Sequence, residues 1–416
     1  METYRYGMKG APAVGNGLGG LPRRTAAESG AAAAAQEYFF QNIGQPQVTW
    51  AEIKNGIFWN GSLLSLVRYN TTPVVHAFLG IGPISSKGGI PRIPSPFQYD
   101  VKITKPVKNF GSHIGLVARK TGGSDVNVGI FSAEDHGVAK WTSFTQADDN
   151  LVDVTFDPVK RLVYALNATT VYCYNYDTGA LLWARQHAGN SQFLLVSPEG
   201  RLFGVLAGGV AEFSTVDGQI IAACSFAVSG TIEGVEAGPD GIVIFTGTGA
   251  PTYRRHVYLV RYDFASYQYT ANLLANVNSD PPWVGYQRGK TGVFAACSQN
   301  NNTDLARYYV MKITPSGVLS IGYGQNSAGT LCAALGVDED KNTCEFAGYG
   351  AYWKVKADGT TPTNASAGYV AGNLSVLGSF STQALTPTGA VAGTNVPMAP
   401  NLTVGGGYMS AVPVSM

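Results

Sequence analysis

Two kinds of turn signal alternate along this chain, and that alternation constrains the fold more than any other feature of the sequence. The first kind sits between apolar runs, at Asp157-Pro158, Pro198-Glu199-Gly200, Pro239-Asp240-Gly241, Arg288-Gly289-Lys290 and Asp338-Glu339-Asp340. These residue types suit tight turns, because Pro presets φ, Gly accepts positive φ and Asp bonds its own backbone. Successive members lie about 41, 41, 50 and 50 residues apart. The second kind follows some 20 residues later in each unit. It appears at Asp177-Thr178-Gly179, Asp217-Gly218, Asp263-Phe264-Ala265, Pro315-Ser316-Gly317 and Asp358-Gly359, with upstream members at Asp135-His136-Gly137 and, more faintly, Asn70-Thr71. Two interleaved series at one period mean two hairpins, hence four strands, per unit.

The intervening segments have strand character. Arg161 to Leu166, Val171 to Tyr176, Leu202 to Leu206, Ile242 to Thr246, Val257 to Tyr262 and Tyr308 to Ile313 are short and rich in Val, Ile, Leu, Tyr and Phe, without helical spacing. A lone four-stranded unit cannot cover both of its faces, so the repeat demands neighbours, and a closed ring supplies them to every unit. The expected fold is therefore all-β: a β-propeller of about seven four-stranded blades. A β-helix rung is far shorter than this period, and a β-sandwich has no reason to keep one. The units centre near residues 71, 137, 179, 218, 265, 317 and 359, which places the propeller at residues 48–372. The wide gap between the first two holds a Pro/Gly-rich insertion loop, residues 80–97.

The stretch Val171 to Trp183, VYCYNYDTGALLW, resembles the repeat of quinoprotein-type (PQQ-type) propellers, in which an A-x-D-x-x-T-G-x-x-x-W pattern closes each blade. The matching positions are Cys173, Asn175, Thr178, Gly179 and Trp183, and a looser copy runs from Asp135 to Trp141. The resemblance implies that such tryptophans dock between blades. Enzymes of that family bind pyrroloquinoline quinone with calcium and often carry adjacent cysteines over it. This chain has neither adjacent cysteines nor an acidic cluster suited to calcium, so no cofactor is expected. Repeated G-H and W-D signatures are missing too, which sets the chain apart from WD40 sequences.

Composition narrows the function classes. Charged residues are only 13% and the net charge is +1, so no global field draws the chain to nucleic acid or to an anionic membrane. No apolar run reaches the length of a membrane-spanning helix, and the first residues lack the pattern of a secretory signal, so synthesis in a host cytoplasm is expected. The cysteines, Cys173, Cys224, Cys297, Cys332 and Cys344, are scattered and odd in number, as expected of buried reduced thiols in strands. The histidines, His76, His113, His136, His187 and His256, lack metal-ligand spacing. Arg288-Gly289-Lys290-Thr291 fails as a phosphate loop because Val284 stands where the first glycine belongs. For glycoside cleavage the available acids are Asp148, Asp149, Glu233, Glu236, Asp338, Glu339 and Asp340, most of them at turns. Arg254-Arg255-His256 reads as a solvated basic turn, with contact to an acidic partner chain as the alternative. No catalytic apparatus is expected from these residues.

The ends do not share the repeat. Residues 1–47 form an extended Gly/Ala-rich arm, in which Thr25 to Phe40 offers an N-cap, Glu28 three residues on and a run of alanines, hence a short helix. Residues 373–416 are low in charge and suit extra strands or a second tail. Flexible ends on a rigid, low-charge β body resemble virion proteins of tailed bacteriophages, whose nozzle and host-contact components include propellers. That resemblance implies a non-enzymatic tail component in the virion, partnered by other virion proteins, by copies of itself in a symmetric ring, and by a host surface receptor. Tyr4, Arg5, Tyr6, Arg23 and Arg24 of the arm are the candidate assembly residues. A carbohydrate-binding or carbohydrate-cleaving propeller is the alternative, and an intracellular scaffold the third.

Overall fold

The computed structural model describes residues 151–360 apart from short connecting stretches, and outside that span only strand backbones between residues 39 and 143 and between 370 and 404. Every described element is a β-strand, and neighbouring strands pair antiparallel. Sheet I runs in order through Leu151–Asp157, Leu162–Asn167, Thr170–Asn175 and Leu181–Gln186. Sheet II follows with Ser191–Val196, Leu202–Leu206, Gly209–Phe213 and Ile220–Ser225. Sheet III comprises Thr231–Ala237, Gly241–Gly247, Arg254–Arg261 and Ser266–Asn272. Sheet IV comprises Trp283–Arg288, Val293–Asn300, Ala306–Thr314 and Gly317–Asn326. Sheet V contains Ala333–Asp338, Thr343–Gly348 and Ala351–Lys356, and its fourth strand is Phe39–Asn42 from the other end of the chain. Upstream, Trp50–Trp59, Ser62–Tyr69, Val75–Ile81 and Arg92–Ile93 form a further four-stranded sheet, and another is built around His113–Lys120.

The repeat seen in the turns extends to the irregularities. A bulge interrupts the first strand pair of sheets I to IV at Leu151/Asp153, Ser191/Phe193, Ile232/Gly234 and Trp283/Gly285. An extra residue at one fixed place bends each first strand and sharpens its twist. The first strand of each sheet lies against the first strand of the next from sheet I to sheet V. That series continues from Ala333–Asp338 to Trp50–Trp59 at one end and from Leu151–Asp157 to His113–Lys120 at the other. This arrangement of sheets, with a terminal strand completing the last one, is a β-propeller.

The core lies between sheets, not within one. Tyr164, Leu166, Val171 and Cys173 of sheet I pack with Leu194, Leu202, Ala211 and Phe213 of sheet II. From the opposite face of sheet II, Phe203, Val205 and Val210 pack with Ile232, Ile242, Ile244 and Tyr258 of sheet III. Alternate residues of one strand thus serve two interfaces, which is why segments such as Ile242–Phe245 are apolar throughout. Phe294, Ala296 and Val310 of sheet IV meet Leu335, Cys344 and Val355 of sheet V in the same way. Cys173, Cys224 and Cys344 are buried in these interfaces and form no disulfide, as the sequence implies, and burial pushes the Cys173 thiol up to about 12.

Four sequence expectations are affected by the structure. Asn70-Thr71 falls between the second and third strands of its sheet, not the third and fourth, whose link belongs to residues 80–97. That supposed loop includes the strand Arg92–Ile93. The turn at Asp358-Gly359 forms, with Gly359 at φ +74°, but the strand completing its sheet comes from Phe39–Asn42. The helix expected over Thr25 to Phe40 lies outside the described residues except Phe39 and Phe40, which belong to that closing strand.

Trp183 shows how one sheet locks to the next. Its Nε1 donates to the Thr215 carbonyl of sheet II at 3.2 Å, and Arg185 Nε donates to the Asp217 carbonyl at 3.0 Å. Gly218, at φ +74°, leaves the space the indole fills, since a Cβ there would stand 2.5 Å from Trp183 Cζ3 and 2.9 Å from Arg185 Cβ. Gly218→Ala therefore combines backbone strain with overpacking and is expected to cost about 2–4 kcal/mol in denaturant unfolding.

Candidate functional site

In a four-stranded meander the first and third hairpins point the same way, so both turn series seen in the sequence converge on one face of the propeller. They are bonded to each other. Arg161, at φ +51° in the first turn of sheet I, donates from Nε and Nη2 to Asp177 of the second turn, both at 2.7 Å. Asn342 has the same φ in sheet V and holds Asp358 through two hydrogen bonds of 2.8 and 3.0 Å. Within the turns, Asn175 Oδ1 accepts the Asp177 and Thr178 N–H groups, and Asp157 Oδ1 accepts those of Val159 and Lys160.

A second set of bonds ties neighbouring sheets. Lys160 Nζ donates to the Gly200 carbonyl at 2.8 Å and to Thr215 Oγ1 at 3.3 Å, linking sheet I to sheet II. Arg201 grips Glu212 through two hydrogen bonds of 2.7 and 2.5 Å and reaches the Tyr262 carbonyl of sheet III at 3.2 Å. Between sheets IV and V, Glu339 accepts from Thr291 N at 3.0 Å, from Lys312 Nζ at 2.9 Å, and from Lys290 N and Thr291 Oγ1. Deeper, buried Asp153 accepts the Leu194 N–H at 2.7 Å across the first strands of sheets I and II.

Among the described residues, a cavity of about 300 Å³ opens on this face. It is lined by residues 155–160, 195–200 and 235–237 with Tyr286 and Arg288, so four consecutive sheets contribute to it. Its charged groups are of both signs: Asp157, Glu199 and Glu236 against Lys160 and Arg288. Asp157 is buried and Lys160 Nζ lies 3.8 Å from its Oδ2. Tyr286 is mostly buried, its ring stacked on Phe245 at 5.2 Å.

The acids considered for glycoside cleavage are dispersed by the fold. Glu233 pairs with Arg255 at 2.6 Å, Asp338 with Lys341 at 3.0 Å, Asp340 with Lys290 at 2.5 Å, and Glu339 belongs to the tie above. Glu236 alone of that set lines the cavity, and Asp148 and Asp149 lie outside the described residues. The solvated basic turn expected at Arg254-Arg255-His256 is a strand instead. Arg255 is 0% exposed and His256 is buried, because sheets stack on both sides and Gly247 leaves the room the guanidinium occupies on its way to Glu233. Tyr4, Arg5, Tyr6, Arg23 and Arg24 lie outside the described residues. Asp153, Lys160 and Arg201 escaped the sequence reading; a polar residue amid the apolar run of LVDVTF was the available signal for Asp153. Among the described residues no group of three or more His, Cys, Asp or Glu could hold a metal ion, and no helix is long and apolar enough to cross a membrane.

No known protein family matches the sequence, and no curated protein does. Solved structures with a similar fold include the Neurospora crassa Pan2 WD40 domain, at 12% identity and a TM-score of 0.46 over 74% of this chain and 90% of that one. The WD40 domain of Toxoplasma gondii coronin aligns at 11% identity and a TM-score of 0.40, over 76% and 88%. Kuenenia stuttgartiensis hydrazine synthase aligns at 9% identity and a TM-score of 0.46, over 74% and 96%. At these scores the architecture rests on the strand order and core described above.

Glu339 makes the turn face pH-sensitive. Burial by itself would raise its carboxyl, but hydrogen bonds from Thr291 and Lys312 outweigh that and hold it below the usual carboxylate range. A group lowered in the folded state stabilises above its unfolded value, about 4.3, and loses that contribution as pH falls through the folded value. Glu339→Gln is therefore expected to lower the melting temperature by about 2–4 °C at pH 7 and to flatten its decline below pH 4.5, as read by calorimetry across pH.

Proposed function

We propose that this chain is a non-enzymatic structural component of a bacteriophage virion, a tail nozzle, adaptor or host-contact protein, assembling through its N-terminal arm. Its body is a propeller of about seven blades, two of which, at Val171 to Trp183 and Asp135 to Trp141, carry quinoprotein-like closing repeats, with Trp183 in the docking role those repeats use. The observation that carries the reading is the use both chain ends make of the rim. Phe39–Asn42 completes sheet V, while Val370–Ala371, Phe380–Leu385 and Thr394–Asn395 add outermost strands to sheets IV, III and I. Terminal segments that bind sheet edges, on a body whose turn-face charges are largely spent on one another, suit a rigid subunit joined to others by its ends. Its partners are copies of itself in a symmetric ring, other virion proteins and a host surface receptor.

Deleting residues 1–38 spares the closing strand and tests the reading. The truncated chain is expected to keep the wild-type circular dichroism and melting temperature but to be missing from purified particles. Normal incorporation would refute assembly through the arm.

The cavity favours one second reading, a saccharide site. Carboxylates that accept from hydroxyls and cations that donate to them line one pocket with an aromatic ring. Host polysaccharides are then expected to raise the melting temperature of the wild type but not of Glu236→Gln, and no shift across such a panel would remove this reading.

A further inference from the structure

On the turn face most cations are committed to a neighbouring carboxylate, but Arg288 in the cavity is not. Lys160 Nζ is held by the Gly200 carbonyl and Thr215 Oγ1, and it stands 3.8 Å from Asp157 Oδ2, a buried oxygen without a hydrogen-bond partner among the described residues. Its charge is therefore spent on the tie between sheets I and II. Arg288 lines the same cavity yet forms neither an ion pair nor a side-chain hydrogen bond among the described residues. The packing sets it near a carboxylate. Gly234 and Glu236 share one face of Thr231–Ala237, and Tyr286 and Arg288 share one face of Trp283–Arg288, because alternate strand residues point the same way. These two faces meet, since the Tyr286 ring occupies the place where a Cβ at Gly234 would collide with it, and it stacks on Phe245 at 5.2 Å. One step further along each strand come Arg288 and Glu236, so a guanidinium and a carboxylate line the cavity together, beyond ion-pair distance of each other.

We propose that this cavity binds an uncharged sugar ring through two adjacent hydroxyls, with Arg288 donating to their oxygens and Glu236 accepting from their O–H groups. The inference rests on the saccharide reading above and names the class of sugar and the residue that selects it. The lining argues for this occupant. A hydroxyl both donates and accepts, so a diol satisfies a guanidinium and a carboxylate at once. An anionic ligand would meet Asp157, Glu199 and Glu236, and a cationic one would meet Lys160 and leave Arg288 unmatched. A volume of about 300 Å³ stands at the small end of ligand sites, which suits a single ring. Val159, which lines the same cavity and is 90% exposed, offers apolar surface to the C–H groups of that ring.

Melting curves of the full chain with glucose, galactose, mannose, glucuronate or glucosamine at equal concentration test this, followed by calorimetric titration of any sugar that shifts the transition. At least one neutral sugar is expected to raise the melting temperature, and glucuronate and glucosamine to raise it less. Arg288→Met removes the donors but no ion pair, so it is expected to melt as the wild type does without sugar and to bind the neutral sugar about tenfold more weakly. Arg288→Lys keeps the charge without the planar fork and decides the matter if the Met variant misfolds; it is expected to weaken binding severalfold. A larger shift with glucuronate or glucosamine would overturn the uncharged class, and wild-type affinity in the Arg288 variants would overturn the role of Arg288. If none of these single sugars binds while polysaccharides still stabilise the wild type and not Glu236→Gln, this inference fails and the saccharide reading stands. If neither single sugars nor polysaccharides shift the wild type, both fall.

Discussion

The structure depends on apolar contact between the faces of neighbouring sheets. A four-stranded sheet such as sheet II, with Val205 and Val210 on one face and Leu202 and Ala211 on the other, has apolar side chains on both faces, and no single partner can bury both. At about 25 cal/mol per Å² of apolar surface, leaving one such face in water would cost more than a typical domain's net stability. Stacking sheet against sheet removes that exposure. The four-residue strand Phe39–Asn42 contributes to this, since it completes sheet V from the start of the chain.

With burial settled between sheets, polar chemistry is left to the edges. The turn face spends its charges internally: Arg161 on Asp177, Arg201 on Glu212, and Lys312 on Glu339. These pairs differ in burial, and the exposed one, Arg161–Asp177, contributes little by itself. Their value lies in fixing the turns relative to one another, where Lys160, Arg201 and Glu339 each bridge two sheets. The buried pair of Arg255 and Glu233 serves a different end, because a guanidinium with no exposed surface is tolerable only with a carboxylate in reach.

The rim is where the chain ends act. Outer strands expose unpaired backbone groups and invite addition of other strands, and this chain covers most of its outer edges with its own termini.

Much of the architecture was legible in the sequence, because hairpin turns and strand periodicity are local. Pro198-Glu199-Gly200 and Asp217-Gly218 report their hairpins through backbone preferences that need no partner, and their common period implied stacked four-stranded units. Contacts between units were not legible. That Gly218 yields space to Trp183, that Asp153 binds the Leu194 N–H, and that Arg255 is buried against Glu233 depend on residues brought together from tens of positions apart. The source of each sheet's last strand was equally hidden: the turn at Asp358-Gly359 announces a following strand, yet Phe39–Asn42 fills the place. Local sequence therefore determined the hairpins and their repeat, whereas tertiary structure alone decided which strand completes which sheet, because an exposed sheet edge offers the same backbone hydrogen bonds to any strand that can reach it.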